Sequence, residues 1–357
     1  MEKFLVIALV IVVLFSSASF GQMLLGARSS GMGGAGVAIS YDLFSSYYNP
    51  AGLMKAGNAG FQGSLGASYD GLDKLLASYT AAADPAKFIS DNYANKLDVN
   101  GTIVGLLGAN INKIGLSVIP TTALSFSKPS NSLDANGSAT GNYNGVLTFG
   151  KTYSFSVLPD LSFGANLKYI GGIDGSLAFS TTTLSGSQQW NTRSGFGADI
   201  GALTTFDVPF VTSLSAGIVA RDLFETVTTA SKSQTVTADA TSQTYTYGPV
   251  QDLGATTASI NPSYAAGISA KIPGVALLVA ADYEMKNIGS NTHFGIEYPL
   301  MLGTVALRAG IASGVDASLT TLGAKIALPV FTLNTAWIIN NTNSKNSSIV
   351  IDFGAMI

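Results

Sequence analysis

The sequence predicts an all-β fold, a transmembrane antiparallel β-barrel of about fourteen strands, and three observations carry that prediction. Segment after segment alternates apolar side chains with small or charged ones. In residues 161–170 the odd positions are Leu161, Phe163, Ala165, Leu167 and Tyr169, and the even ones are Ser162, Gly164, Asn166 and Lys168. Successive side chains of a strand point to opposite faces, so each such segment has one greasy face and one small or polar face. The joints also sort by parity. Short connections carry Pro159, Pro209, Pro273, Pro299 and Pro329, while the polar stretches 127–141, 172–193, 222–260 and 340–347 fall between them. Short turns at one end and long loops at the other are the pattern of a membrane barrel, and a soluble sandwich has no physical reason to adopt it. The third observation is compositional. The chain is 47% hydrophobic and only 11% charged, against about 25% charged in ordinary globular domains. Yet beyond its first residues no apolar run reaches the ~18–20 residues of a helical span. A closed barrel hides such a surface in lipid while pairing every backbone group.

Residues 1–21 read as a secretory signal peptide. Lys3 supplies the positive start, residues 4–15 form an apolar run, and Ser16, Ser17, Ala18, Ser19 and Gly21 offer small residues for cleavage after Gly21. The run is too short and wrongly flanked for a spanning helix. There is no cysteine, hence no disulfide framework, no cysteine-based metal site and no lipid attachment point of a lipoprotein. A formal net charge of −3 is too small to point to nucleic acid or to a polybasic membrane surface. Nothing in the chain implies a cofactor.

After the signal comes Gly26-Ala-Arg-Ser-Ser-Gly-Met-Gly-Gly-Ala-Gly-Val-Ala-Ile-Ser-Tyr-Asp, then Tyr48-Asn49-Pro50-Ala51-Gly52-Leu53. The two pieces, in that order, resemble the start of mature FadL-type proteins, the long-chain fatty acid and hydrocarbon transporters of the bacterial outer membrane. They resemble equally the PorV-like secretion components and the TraF-like plasmid-transfer barrels. The resemblance is sharp over residues 26–53 and diffuse over the strands. It implies that residues 22–58 fold into the lumen as a hatch, with Gly31, Gly33, Gly34, Gly36, Asn49, Pro50 and Ala51 as its gating residues. The residues themselves support a compact, non-strand segment. The four glycines allow positive φ and close approach to a wall, and Asn49-Pro50 favours a turn. Gly31, Gly33 and Gly36 also spell G-x-G-x-x-G, but a dinucleotide fingerprint must follow a strand and open a helix. A cleavage site upstream and a Tyr/Asn/Pro-rich turn downstream exclude it.

The barrel itself occupies residues 59–357. Residues 72–96 read as helical within the first extracellular loop, with Leu72, Leu75, Leu76 and Tyr79 on one face and Asp84-Pro85 opening a second helix. Strands are expected near 61–69, 101–110, 113–126, 143–153, 161–170, 195–206, 213–221, 263–272, 275–284, 292–298, 304–311, 321–328, 331–339 and 349–356. With the first strand running outward, 110–113 and all five proline joints fall on the periplasmic side and every long loop outside. Tyr69, Tyr153, Tyr169, Tyr283, Tyr298 and Trp337 suit an aromatic belt at the membrane interfaces. The chain ends Phe353-Gly-Ala-Met-Ile357 rather than on an aromatic residue.

Enzyme chemistry has little to stand on. His293 is the one histidine, which excludes a histidine metal cluster, and it shares a strand face with Gly295 and Glu297. By the alternation Lys168, Asp199, Arg221, Lys271, Asp282, Glu284, Glu297, Arg308 and Lys325 face the lumen. Both signs occur, so ion pairing and hatch contacts account for them. The functional alternative assigns Lys168, Arg221, Lys271, Arg308 or Lys325 to a ligand carboxylate, a charge-assisted contact. The expected function is passive uptake of hydrophobic small molecules such as long-chain fatty acids across the outer membrane. The rival is a barrel that docks a protein partner, as PorV-like members do; an outer-membrane hydrolase is the most distant reading.

Overall fold

The computed structural model describes residues 24–70, 94–131, 134–180, 183–208, 211–239, 244–316, 318–342 and 347–356. The expected signal peptide lies outside these residues, as does the helical reading of 72–96 except for 94–96. One antiparallel sheet closes on itself. Its strands are β1 (Ala59–Asp70), β2 (Leu97–Ile111), β3 (Ile114–Lys128), β4 (Ala135–Tyr153), β5 (Leu161–Ser180), β6 (Ser185–Val208) and β7 (Val211–Asp239). After β8 (Thr244–Tyr247) and β9 (Gln251–Ser259) come β10 (Ser263–Ile272), β11 (Leu277–Lys286), β12 (Gly289–Leu300) and β13 (Val305–Gly314). The last three are β14 (Leu319–Ala327), β15 (Thr332–Asn340) and β16 (Ser348–Met356). Neighbours in sequence pair as far as β7, β7 pairs β10, and β16 returns to β1, giving a closed barrel of 14 strands. Each expected strand overlaps one of these fourteen. The short β8 and β9 lie outside the ring, paired to the far part of β7 beyond β10.

The structure departs from the sequence reading at the long polar connections. Much of 127–141, 172–193 and 222–260 is strand, not loop. Strands β4 to β7 run 19, 20, 24 and 29 residues, whereas β10 to β16 run 9 to 12. A membrane crossing needs only ~9–11 residues, so β5, β6 and β7 stand well clear of one rim as a polar wall. Their protruding parts carry Ser and Thr on both faces, as where Thr228 and Thr229 pair with Thr257 and Thr256. With both faces wet there is no alternation to read, while β-branched threonine still favours the strand. Pro299 also differs from expectation. It lies inside β12, opposite Ala306 and next to the last pair of the ladder, where its missing N–H is tolerated.

Among the described residues no helix is long and apolar enough to cross a membrane; the strands do the crossing. Leu65, Leu107, Leu116, Leu167, Ile218, Ile268, Leu307 and Ile311 point outward and are exposed. So are Tyr153, Tyr169, Tyr283, Tyr298 and Trp337; the Tyr69 side chain lies outside the described set. Aromatic rings meet across neighbouring strands, Tyr143 to Tyr169 at 6.1 Å and Tyr169 to Phe196 at 5.3 Å. Phe353 similarly meets Phe61 and Phe331 at 6.4 and 6.5 Å. An apolar band of this extent is stable in lipid and not in water.

The interior is filled by the chain that precedes β1. It winds as a short helix α1 (Ala27–Ser30), a second, α2 (Ser45–Tyr48), and a 3-10 turn (Pro50–Lys55). Nearly every residue of 24–56 is buried. Leu25, Leu43, Phe44, Tyr48 and Leu53 form its main apolar cluster, completed by Val104, Leu106, Ile119 and Val146 of the wall.

Candidate functional site

The site is the seat of this luminal segment. The wall makes room for it with glycine. A Cβ on Gly164 would lie 2.3 Å from Ala51 N, on Gly201 2.0 Å from Asn49 Oδ1, and on Gly217 2.7 Å from Val37 O. On Gly267 it would lie 2.8 Å from Val37 Cβ, on Gly295 2.4 Å from Met32 O, and on Gly310 2.1 Å from Gly33 N. All six stand on the luminal face of their strands, and three contacts are direct cross-strand pairs: Gly164 with Gly201, Gly217 with Gly267, and Gly295 with Gly310. Sequence reasoning missed this track. The signal was present, since glycine recurs at the luminal parity of consecutive strands, but it reads equally well as mere smallness.

Polar side chains of the wall then hold the segment by its backbone. The Gly36 and Val37 N–H groups donate to Asp282 Oδ2 at 2.6 and 2.8 Å, a concave anion nest occupied by a carboxylate of the wall. The Gly33 N–H donates to Thr321 Oγ1 at 2.9 Å and the Leu43 N–H to Gln62 Oε1 at 2.6 Å. The Ala27 N–H donates to Asp352. In the other direction, Asn166 Nδ2 donates to Ser46 O at 2.8 Å. His293 Nδ1 stands 2.8 Å from Gly33 O; a carbonyl can only accept, so Nδ1 carries the proton. His293 is therefore a strap on the segment.

The motif residues have distinct tasks. Asn49 caps the 3-10 turn, its Oδ1 accepting from the Ala51 N–H at 3.1 Å, and Pro50 occupies the first helical position. Asn49 Nδ2 reaches both Val37 O at 3.0 Å and Ala202 O of β6 at 3.1 Å. One side chain thus ties two turns of the segment to each other and to the wall. Of the four glycines Gly31, Gly33, Gly34 and Gly36, only Gly33 and Gly34 have positive φ, +69° and +90°. Gly31 and Gly36 instead serve close approach, Gly36 lying under the Tyr48 ring.

The five luminal cations divide. Lys168 sits among Asp199 at 2.9 Å, Glu225 at 2.8 Å and Asp222. Arg221 pairs with Glu284 at 2.8 Å and donates to the carbonyls of Tyr47 and Tyr48 at 3.1 and 2.8 Å. Arg308 shares Glu297 with Arg28 of the segment, at 2.6 and 3.0 Å. These three are engaged internally. Lys271, exposed, and Lys325, half-buried, make no ion pair among the described residues. Both lie near the rim that carries the short turns.

Within the segment, burial pushes the Asp42 carboxyl above its ordinary range, against the opposing pull of Arg28 and of hydrogen bonds from Gln62 and the Phe44 N–H. A carboxyl raised in this way costs stability above its ordinary value, about 3.9, and the cost fades as pH falls. Asp42→Asn should therefore flatten the pH dependence of the segment's seating. Proteolysis of residues 24–58 between about pH 4 and 8 checks this; equal slopes in both proteins would exclude Asp42 as the source.

Outside the barrel, where Gly217 and Gly267 thin the wall, lies an apolar concavity of about 750 Å³. Ala202, Ala216, Ala266 and Ala281 form its floor, and the exposed Ile218, Ile268, Tyr283 and Phe294 border it.

No protein-family model matches this sequence, and no curated protein does either. Solved structures do match its fold. The toluene transporter TbuX of Ralstonia pickettii superposes with a TM-score of 0.58 at 13% identity, over 94% of this chain and 98% of that one. The Pseudomonas putida toluene transporter TodX gives 0.58 at 12%, over 94% and 99%. A Pseudomonas aeruginosa FadL homologue gives 0.56 at 10%, over 95% and 99%. The chain is thus similar over nearly its whole length to FadL-type barrels.

Proposed function

We propose that the protein is a bacterial outer-membrane channel for passive passage of hydrophobic small molecules, with residues 22–58 as its hatch and the short turns on the periplasmic side. The observation that carries this reading is how the segment is seated. Against β5 to β7 and β10 to β13 it meets the wall through backbone contacts over glycine and through hydrogen bonds, whereas its main apolar cluster is shared with β2, β3 and β4, so the glycine side can shift while the other side stays seated. The names of the similar solved structures, toluene transporters among them, support it. A ligand enters at the rim with the tall strands, descends to the segment, and leaves when the hatch rearranges or through the wall. The thin wall at Gly217 and Gly267 marks where such a side exit is cheapest in displaced atoms. Long-chain fatty acids and hydrocarbons are the two substrate classes the resemblance offers.

Asn49→Ala tests the hatch. It removes three hydrogen bonds from a buried knot and leaves two carbonyls without their donor, at about 1–3 kcal/mol for each group stranded. Protein-dependent entry of a hydrophobic solute should rise while the barrel remains folded, as judged by its mobility on unheated gels. Unaltered entry in both Asn49→Ala and Pro50→Ala would rule out gating by this motif.

A second reading has its own observation. The polar wall of β5, β6, β7 and β9 is far taller than a channel mouth needs and has β9, exposed along its length, at its edge. That surface suits a docking barrel that recruits a protein. Deleting residues 226–259 separates the two, since loss of partner capture with solute entry intact assigns the wall to docking.

A further inference from the structure

A belt of charge crosses the lumen directly beyond the segment, on the side of the tall strands. It runs along β5, β6, β7 and β11 and ends in the turn after β13. Its cations are Lys168, Arg221 and Lys286; its carboxylates are Asp199, Asp222, Glu225, Glu284 and Asp316. Lys168 is spent on Asp199, Asp222 and Glu225. Arg221 is spent on Glu284 and on the Tyr47 and Tyr48 carbonyls. Lys286 is spent on Asp316 at 2.6 Å and Glu284 at 3.5 Å. Among the described residues of the belt, three cations thus face five carboxylates, and each cation is already paired.

From this tally we infer that the belt is a charge filter, which passes uncharged hydrophobic molecules and turns away carboxylates. An incoming carboxylate would have to shed its water and would meet an excess of its own sign. To gain a partner it would have to displace a buried carboxylate from Lys168 or Arg221, which strands that carboxylate in turn. A neutral solute of the same length meets none of these costs. The inference rests on the channel reading above and narrows it. The substrate is an uncharged hydrocarbon or alcohol, and a fatty-acid anion is excluded. Asp222 and Glu225, on the inner side of a bulge in β7, are the selecting residues, with Asp199 behind them.

The test compares dodecanol with dodecanoate, which share a chain length and differ in charge. Entry of each, radiolabelled, is measured at mildly alkaline pH into outer-membrane vesicles that contain or lack the full-length protein. Protein-dependent entry of the alcohol should exceed that of the carboxylate by at least about tenfold, the ratio that one like charge about 12 Å away already imposes at an effective dielectric constant of about 20. Asp222→Asn combined with Glu225→Gln should bring the ratio toward one. Equal or faster entry of dodecanoate into wild-type vesicles overturns the filter and leaves the channel standing. An unchanged ratio in the folded double variant overturns the assignment to these residues. If neither solute enters faster than into vesicles lacking the protein, the channel reading falls and the filter with it.

Discussion

Replacing Gly164 and Gly310 together by valine will unseat the luminal segment and open the barrel. A Cβ at Gly164 would stand 2.3 Å from both Ala51 N and Pro50 C, and one at Gly310 2.1 Å from Gly33 N. These neighbours are backbone, so no rotamer change relieves the clash. The strands cannot yield either, since Gly164 and Gly310 are laddered on both sides. Valine favours a strand, so the barrel itself should keep its shape. Overpacking costs roughly 1–3 kcal/mol per site, and sites in different parts of the seat add, so ~2–6 kcal/mol falls on the seating of the segment. Single-protein conductance in planar bilayers should rise sharply, and residues 24–58 should become open to protease. Gly137→Val is the control, because a Cβ there has nothing nearer than Phe126 Cδ2 at 3.5 Å. A double variant that conducts and resists protease like the wild type would show that the glycine track does not hold the segment.

Lys168→Met should be the most destabilising single change in the wall. Its ammonium is buried, and it is the counter-charge for Asp199, Glu225 and Asp222. Breaking a buried ion pair from one side typically costs about 3–5 kcal/mol, because the partner is left as an uncompensated charge. The damage has a route to the segment. Asp199 also accepts from Asn166 Nδ2 at 2.8 Å and from the Asp222 N–H at 2.8 Å, and Asn166 holds Ser46 O. Asp222 itself sits at φ +61°, a strained position for a non-glycine residue. Urea unfolding in lipid should show the loss, and adding Asp222→Asn and Glu225→Gln to Lys168→Met should recover most of it. A loss that those two changes fail to reduce would mean that Lys168 acts through packing and not through charge.

How much of this was legible in the sequence depends on which face a residue occupies. The fourteen wall strands were readable because lipid on one side and lumen on the other impose different side chains at alternate positions, as in 161–170. Where both faces meet water the rule is silent, so the upper parts of β5, β6 and β7 passed for loops. The Asn49-Pro50-Ala51 motif was legible as a turn, since capping chemistry is local. That Asn49 also reaches Ala202 was not, because that contact depends on how a plug of some thirty residues sits against β6. The luminal cations were placed on the correct face by parity, but their partners were hidden. Asp222 reaches Lys168 only because β7 bulges against β6, where the register shifts between Phe196 and Ala198 and again before Ile200. Alternation within one strand carries no information about a bulge between two.

The straps on the luminal segment also bear on how the molecule is made. Ala27 is bonded to Asp352 of the last strand, 325 residues away, and Gly33 to Thr321 of β14. Asn49 is bonded to β6. The segment is synthesised first, yet its partners are spread around the circumference and end on the stave that meets β1. A closed ring laddered at every joint offers no gap through which a folded plug could be inserted sideways. Once the ring is closed, its two open ends are the only ways in for the segment. Asp352 stands opposite Ser64 at the β1–β16 joint, takes a hydrogen bond from its hydroxyl and takes another from the Ala27 N–H, so one carboxylate clasps both the seam of the ring and the start of what lies inside it.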